Sequence, residues 1–399
     1  MRFTSFCILT AVVLSSCARP APPKAAQAAP APMTLHRIQP EPMPIGETIK
    51  IGVAGPMTGD LKEFGDMIRK GAELARDQVN KAGGINGKNI ELEFGDDQAK
   101  PDQAKTVAEK LANDPQVAFV VGHFNSSCTL AGQTTYDRVG VVEFSPGSTN
   151  PTVCEKSKWT FRNLYRDDYQ GKLLARVAKE ILGAKKVCVF YDNDDYGTGL
   201  KDAFVGMAKE IGVDVLQVEA YGRGTPDYSA TLDAFAAKGP DVILVCGVYN
   251  EAATIVRQAR SKGIKTQFLG GDGLKSPGLI NNAGDAAEGL VLTSPFSVLA
   301  KGAKPERFLE DFKEKFGKDP DTWAALTYDA VMQGVEVVKK VGTDRTKIRD
   351  AMAAMDTKEK GYDGVTGVTF FDKNRDCAKP AFLEVVKDGE FLPHEKQLQ

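Results

Sequence analysis

The sequence predicts an α/β protein built as two doubly wound parallel-sheet lobes, joined by a three-segment hinge with a cleft between them. Three observations carry that prediction. From residue 48 onward, short apolar runs alternate with stretches of helical period. The alternation breaks once, at W-T-F-R (159–162), and then restarts. A chain of 399 residues is too long for one compact domain and suits roughly two.

The elements follow in order. IKIGVAG is an apolar run of strand length, and FGDMIRKGAELARDQVNKAG after it repeats its apolar residues at helical spacing before a terminal Gly. IELEFGDD, QAKTVAEKLAND and VAFVVGH read as strand, helix and strand. TLAGQTTYDRVG is a short helix and VVEFSPG the next strand. After the break, DYQGKLLARVAKEILG, KKVCVFYD, YGTGLKDAFVGMAKEIG and VDVLQVEAY give helix, strand, helix, strand. SATLDAFAAKG, DVILVCG, EAATIVRQARSKG and TQFLGGDG extend the series. Continuous apolar strands separated by helices imply parallel sheets covered on both faces. The remainder changes character: EGLVLTSPF, three helical stretches over 303–355, then VTGVTFF and AFLEVVKDGEF, with KDG at a hairpin turn. Three late helices do not make a domain alone. The chain is therefore expected to cross back, giving one lobe of 47–167 plus 299–365 and another of 168–298 plus 366–395.

The first residues read as an export signal. Arg2 precedes FCILTAVVL, an apolar run too short to span a bilayer, and Leu14-Ser15-Ser16-Cys17 follows. This resembles the lipobox of bacterial lipoproteins, so 1–17 is expected to be a lipoprotein signal with Cys17 lipidated. An ordinary secretory signal with an incidental Cys is the alternative. Residues 18–46 are rich in Pro and Ala and suit an extended tether. The expected location is the periplasm or cell envelope, with the body held to a membrane only through lipid.

An exported body can keep disulfides. Cys128 and Cys154 flank the Gly-Ser-Thr stretch and form the candidate bridge, worth roughly 3 kcal/mol by loop closure. Cys188 and Cys246 sit inside apolar strands and read as buried thiols. Cys377 has no evident partner, and spacing does not fix the connectivity.

Several chemistries find no support. A net charge of -2 argues against nucleic acid, which favours a strongly basic face. The three His (His36, His123, His394) are far apart, and no metal-ligand spacing occurs, so neither a metal nor a Ser-His-Asp set is expected. GVAGPMTG lacks G-x-G-x-x-G spacing and no phosphate-binding loop occurs. DNDDYG starts like a calcium loop but has Ala203 where the final acid belongs. No cofactor is expected, and the chain does not read as an enzyme.

In open parallel sheets, ligands bind beyond the carboxyl ends of the strands. At those ends the first lobe places Ser126, then Gly147, Ser148 and Thr149, which offer hydroxyls and N–H groups suited to an anion. Helix capping is the alternative for Ser126. The second lobe places Tyr196, Tyr249 and Asp272, which suit an ammonium through charge pairing and cation–π attraction. For Asp272 the alternative is a plain Gly-Asp-Gly turn.

IGVAGPMTG, NKAGGINGKNIEL, VVGHFNSS, SPGSTNP, RDDYQG, DYGTGL, RQARSKGIKTQFLGGDG and AAEGLV together resemble the leucine/isoleucine/valine-binding proteins of ABC importers, over about 48–392. The resemblance implies the type I periplasmic-binding fold. It implies a ligand carboxylate at Ser126, Gly147, Ser148 and Thr149, and an ammonium at Tyr196, Tyr249 and Asp272. It also implies a side-chain pocket of Phe64, Phe124, Asn125 and Trp323. A monomer would deliver a branched-chain amino acid to an ABC permease with its ATPase subunits. Asp272 stands where the leucine-binding type has Glu. Asn125 and Ala99 stand where that type has two bridged Cys. A polar amino acid or small amide is the alternative ligand, and a ligand-free envelope lipoprotein that binds a protein partner is the alternative class.

Overall fold

The computed structural model describes residues 48–297 and 299–398. Cys17 and the tether at 18–46 lie outside them.

The first sheet begins with β1 (Thr48–Gly55), whose residues are nearly all buried, as a central strand requires. α1 (Lys62–Lys81) follows, then β2 (Asn89–Asp96), α2 (Pro101–Asn113), β3 (Val117–Val121) and α3 (Ser126–Val139). Next come β4 (Glu143–Ser145) and β5 (Thr160–Arg162). The strand order is β2-β1-β3-β4-β5, all parallel, so the order in which strands are added to the sheet reverses between β1 and β3. The W-T-F-R break is thus β5. Three residues are too few to show an apolar run, yet all are buried.

The second sheet follows α4 (Asp167–Arg176), which continues into a π turn at Val177–Ile181. In order come β6 (Lys186–Asp192), α5 (Asp195–Ile211), β7 (Asp214–Tyr221), α6 (Ser229–Lys238), β8 (Val242–Cys246) and α7 (Tyr249–Ser261). Then come β9 (Gln267–Gly270), α8 (Pro277–Ala283) and β10 (Val291–Ser294).

The return of the chain to the first lobe is visible in α9 (Ala303–Phe316), α10 (Thr322–Val341) and α11 (Arg345–Ala353). α10 lies against α1 and β3 so closely that only glycine fits at two contacts. A Cβ on Gly71 would stand 2.3 Å from Ala324 O, and one on Gly334 2.1 Å from the Phe119 ring. β11 (Tyr362–Gly364) and β12 (Gly367–Thr369) form their own antiparallel pair, so VTGVTFF does not join the second sheet. Phe371 beyond it still packs on Phe144 and Phe161 of the first sheet. The lobe boundary expected at 365/366 falls in the β11–β12 turn.

β13 (Phe382–Lys387) and β14 (Glu390–Pro393) complete the second sheet, in the order β14-β13-β10-β9-β8-β6-β7. Lys387 pairs with Glu390, which leaves Asp388-Gly389 as a two-residue turn. Both have positive φ (55° and 73°), the geometry such a hairpin needs. The chain passes between the sheets three times, after β5, β10 and β12.

The candidate disulfide is not formed. Cys128 and Cys154 are separate, buried free thiols, as are Cys188, Cys246 and Cys377. Burial pushes the Cys154 thiol up to about 12, against the opposing pull of Arg162.

Candidate functional site

In the first lobe two strand ends form one cradle. Beyond β3 the chain runs through Phe124 and Asn125 into α3. The Cys128 and Thr129 N–H groups already donate to Asn125 O, so Ser126 and Ser127 carry first-turn amides with no intrahelical acceptor. Ser126 Oγ accepts the Asn150 N–H at 3.2 Å and keeps its own proton to donate. Beyond β4, Ser145 Oγ accepts the Ser148 N–H at 3.0 Å and tightens the turn. Gly147 is required by its neighbour, since a Cβ there would stand 2.3 Å from the Phe124 ring.

Ser148 departs from expectation. Its hydroxyl donates to Phe124 O at 2.8 Å and lies 2.7 Å from the Thr129 hydroxyl, so it ties the two loops together. Thr149, by contrast, is fully buried; its hydroxyl faces the Asp167 carboxylate, whose ionised form it favours, but makes no well-aligned hydrogen bond.

In the second lobe Asp272 follows β9 in a single 3₁₀ turn, also buried. Tyr196 donates to Asp272 Oδ1 at 2.9 Å, and its oxygen accepts the Gly273 N–H at 3.0 Å. Tyr196 is placed by the start of α5, where Asp194 caps the helix by accepting the Gly197 N–H at 2.7 Å. Asp272 Oδ2 has no partner. Burial pushes the Asp272 carboxyl up to about 6, with Tyr196, Gln170 and Tyr165 pulling the other way.

The sequence reading missed Asp167. At the start of α4 its N–H donates to Thr149 O at 2.8 Å, and its Oδ1 accepts from Gln170 Nε2 at 3.0 Å. Gln170 Oε1 in turn accepts the Asp272 N–H at 2.8 Å. Thr149 and Asp272, on different lobes, are therefore linked through Asp167 and Gln170. Asp167 Oδ2 is buried and unpartnered. Burial first, and then the Asp272 charge, push its carboxyl well above the usual range. The signal was present in R-D-D-Y-Q-G: residues three apart on a helix share a face.

The remaining expected residues form an aromatic group. Phe64 lies 4.7 Å from Phe124, 4.9 Å from Tyr249 and 5.9 Å from Trp323, while Phe124 and Trp323 are 4.9 Å apart. Three of the four contacts are edge-on, the favoured arrangement. Tyr249 belongs to this group: its hydroxyl donates to Asp60 O at 2.8 Å, on the first lobe, instead of reaching Asp272. Asn125 is buried, with Oδ1 unpartnered.

Residues 48–390 match the model of a family described as periplasmic binding protein. The chain belongs to that family. A Leu/Ile/Val-binding protein homolog of Brucella abortus is 35% identical over 350 residues, 86% of this chain and 92% of its own. A leucine-binding protein from Thermotoga maritima superposes with a TM-score of 0.81 at 32% identity, over 87% of this chain and 97% of its own. A branched-chain amino acid transporter substrate-binding protein from Streptococcus pneumoniae, solved with isoleucine, has a TM-score of 0.81 at 33% identity, over 86% and 97%. The fold is that of the type I periplasmic binding proteins.

In this periplasmic binding protein the lobes touch across the cleft. Asn150 Nδ2 donates to Asp195 O at 2.6 Å, and Ser127 Oγ accepts the Asp195 N–H at 3.2 Å. Trp323 Nε1 donates to Lys275 O at 2.7 Å. With the Tyr249–Asp60 bond, these contacts join the two lobes.

Proposed function

We propose that this periplasmic binding protein holds a free amino acid between its lobes and delivers it to an ABC permease with its ATPase subunits. One observation carries the reading. Thr149, whose hydroxyl makes no well-aligned hydrogen bond, and Asp272, with an unpartnered carboxylate oxygen, come from different lobes and adjoin the same Asp167–Gln170 relay. Ser126, the Gly147 backbone and Thr149 would take the carboxylate. Asp272 and Tyr196 would take the ammonium. A buried zwitterion needs both poles paired, since a missing partner costs about 3–5 kcal/mol.

Branched aliphatic substrates fit the aromatic group best. Burying such a side chain adds roughly 1.5–3 kcal/mol. The Thermotoga maritima relative is a leucine-binding protein and the Streptococcus pneumoniae relative holds isoleucine, which supports the same class. A second reading, a polar amino acid or small amide, is favoured by the unpartnered Asn125 Oδ1 in the pocket wall.

The LSSC motif supports lipid anchoring at Cys17, outside the cytoplasm. A thermal-shift panel tests the ligand. Stabilisation by leucine, isoleucine or valine supports the lead, and a response confined to polar amino acids favours the second reading. Failure of every amino acid to stabilise the protein overturns both.

A further inference from the structure

Asp167 and Asp272 are two buried carboxylates from separate elements, and among the described residues neither forms an ion pair with Lys or Arg. One side chain serves both: Gln170 donates to Asp167 and accepts from the Asp272 N–H. Each carboxylate keeps one oxygen without a partner, and the Asp272 charge acts directly on Asp167. Like charges this deeply buried do not both ionise without a compensating cation.

We propose that Asp167 and Asp272 titrate as one pair, with one of them protonated when no ligand is bound and that proton released to solvent as a ligand ammonium enters. This rests on the amino-acid reading above and makes Asp167 a second ligand carboxylate. The carboxyl O–H bond breaks, its proton goes to solvent, and the ammonium supplies the positive charge in its place.

The surroundings suit such an exchange. Around Asp167 stand Arg162 on β5, Asp194 before α5, Tyr196 in α5 and Cys246 at the end of β8. Around Asp272 stand Tyr165 before α4, Tyr196 and the neutral Gln170. Arg162 is the one cation in this set, and its guanidinium is committed to Asp376 and to the carbonyls of Ser148 and Asn150. Burial raises both carboxyls, Asp272 to about 6.

Titrating the full chain with leucine, by calorimetry in two buffers of different ionisation enthalpy near pH 6.5, tests this directly. About one proton should leave per leucine bound, and affinity should tighten by up to ~10-fold for each pH unit that the pH rises toward neutrality. In Asp167→Asn the release should vanish and the pH dependence flatten. Leucine binding by the unaltered protein with no proton release overturns the pair while leaving the amino-acid reading intact. Failure to bind any amino acid overturns both.

Discussion

Arg162 donates its Nε–H to Asp376 Oδ1 at 2.6 Å, with both side chains buried, and so joins the ligand-side loop to the third interlobe crossing. The same guanidinium donates to Ser148 O and Asn150 O, each at 3.0 Å. Arg166 reaches the other Asp376 oxygen at 2.8 Å. The carbonyls that shape the loop around Thr149 are therefore held by a charge anchored in the hinge.

Removing the anchor leaves Arg162 buried without its counter-charge. Asp376→Asn should lower stability by about 3–5 kcal/mol and weaken every amino-acid ligand to a similar degree. Urea unfolding and calorimetry on the same sample measure the two effects. Unchanged stability would mean the pair contributes nothing net.

Asp272→Asn separates binding from folding. Affinity for leucine should fall at least ~100-fold, because the ammonium loses a buried partner. The ligand-free fold should not suffer, since the change removes a buried carboxylate with an unpartnered oxygen. The sign with pH is fixed. A carboxyl raised to about 6 contributes stability below its unfolded value, and that contribution is lost as pH rises through 6. The variant should therefore gain on the parent between pH 4 and 7, read as melting temperature without ligand.

Gly147→Ala tests the packing of the pocket wall. The new Cβ would meet the Phe124 ring at 2.3 Å, and Phe124 also packs on Phe64 and Trp323. A cost of about 1–3 kcal/mol is expected, together with weaker ligand binding. An affinity equal to that of the parent would show that Phe124 moves without consequence.

The thiols give a covalent check. All five described cysteines are buried and free. An alkylating reagent should leave them untouched in the folded protein and modify all five after unfolding without reductant. A linked peptide containing Cys128 and Cys154 would contradict the structure.

Sequence made the fold readable because each element shows its own period. Central strands such as 117–121 are apolar throughout, and α1 repeats at helical spacing. β5 escaped because three residues carry no period. At the candidate site, strand ends pointed to Ser126, Thr149 and Asp272, the residues the proposed ligand would meet, since ligand loops follow sheet topology. Ser148 and Tyr249 fell at the right ends, but their hydroxyls turned elsewhere. Only tertiary geometry decides which of several adjacent acceptors a hydroxyl finds. Asp167 was missed because an acid at a helix start reads first as a favourable helix-dipole residue. Its partner Asp272 is 105 positions away in sequence (272 minus 167). The Cys128–Cys154 bridge rested on spacing alone, and spacing does not bring sulfurs into bonding geometry.

In the proposed complex opposite lobes each neutralise one pole of the ligand, and calorimetry with truncated leucines tests that most directly. Leucine should bind, while 4-methylpentanoate, which lacks the ammonium, and isopentylamine, which lacks the carboxylate, should each bind at least ~100-fold more weakly. Either analogue binding within ~10-fold of leucine would contradict it.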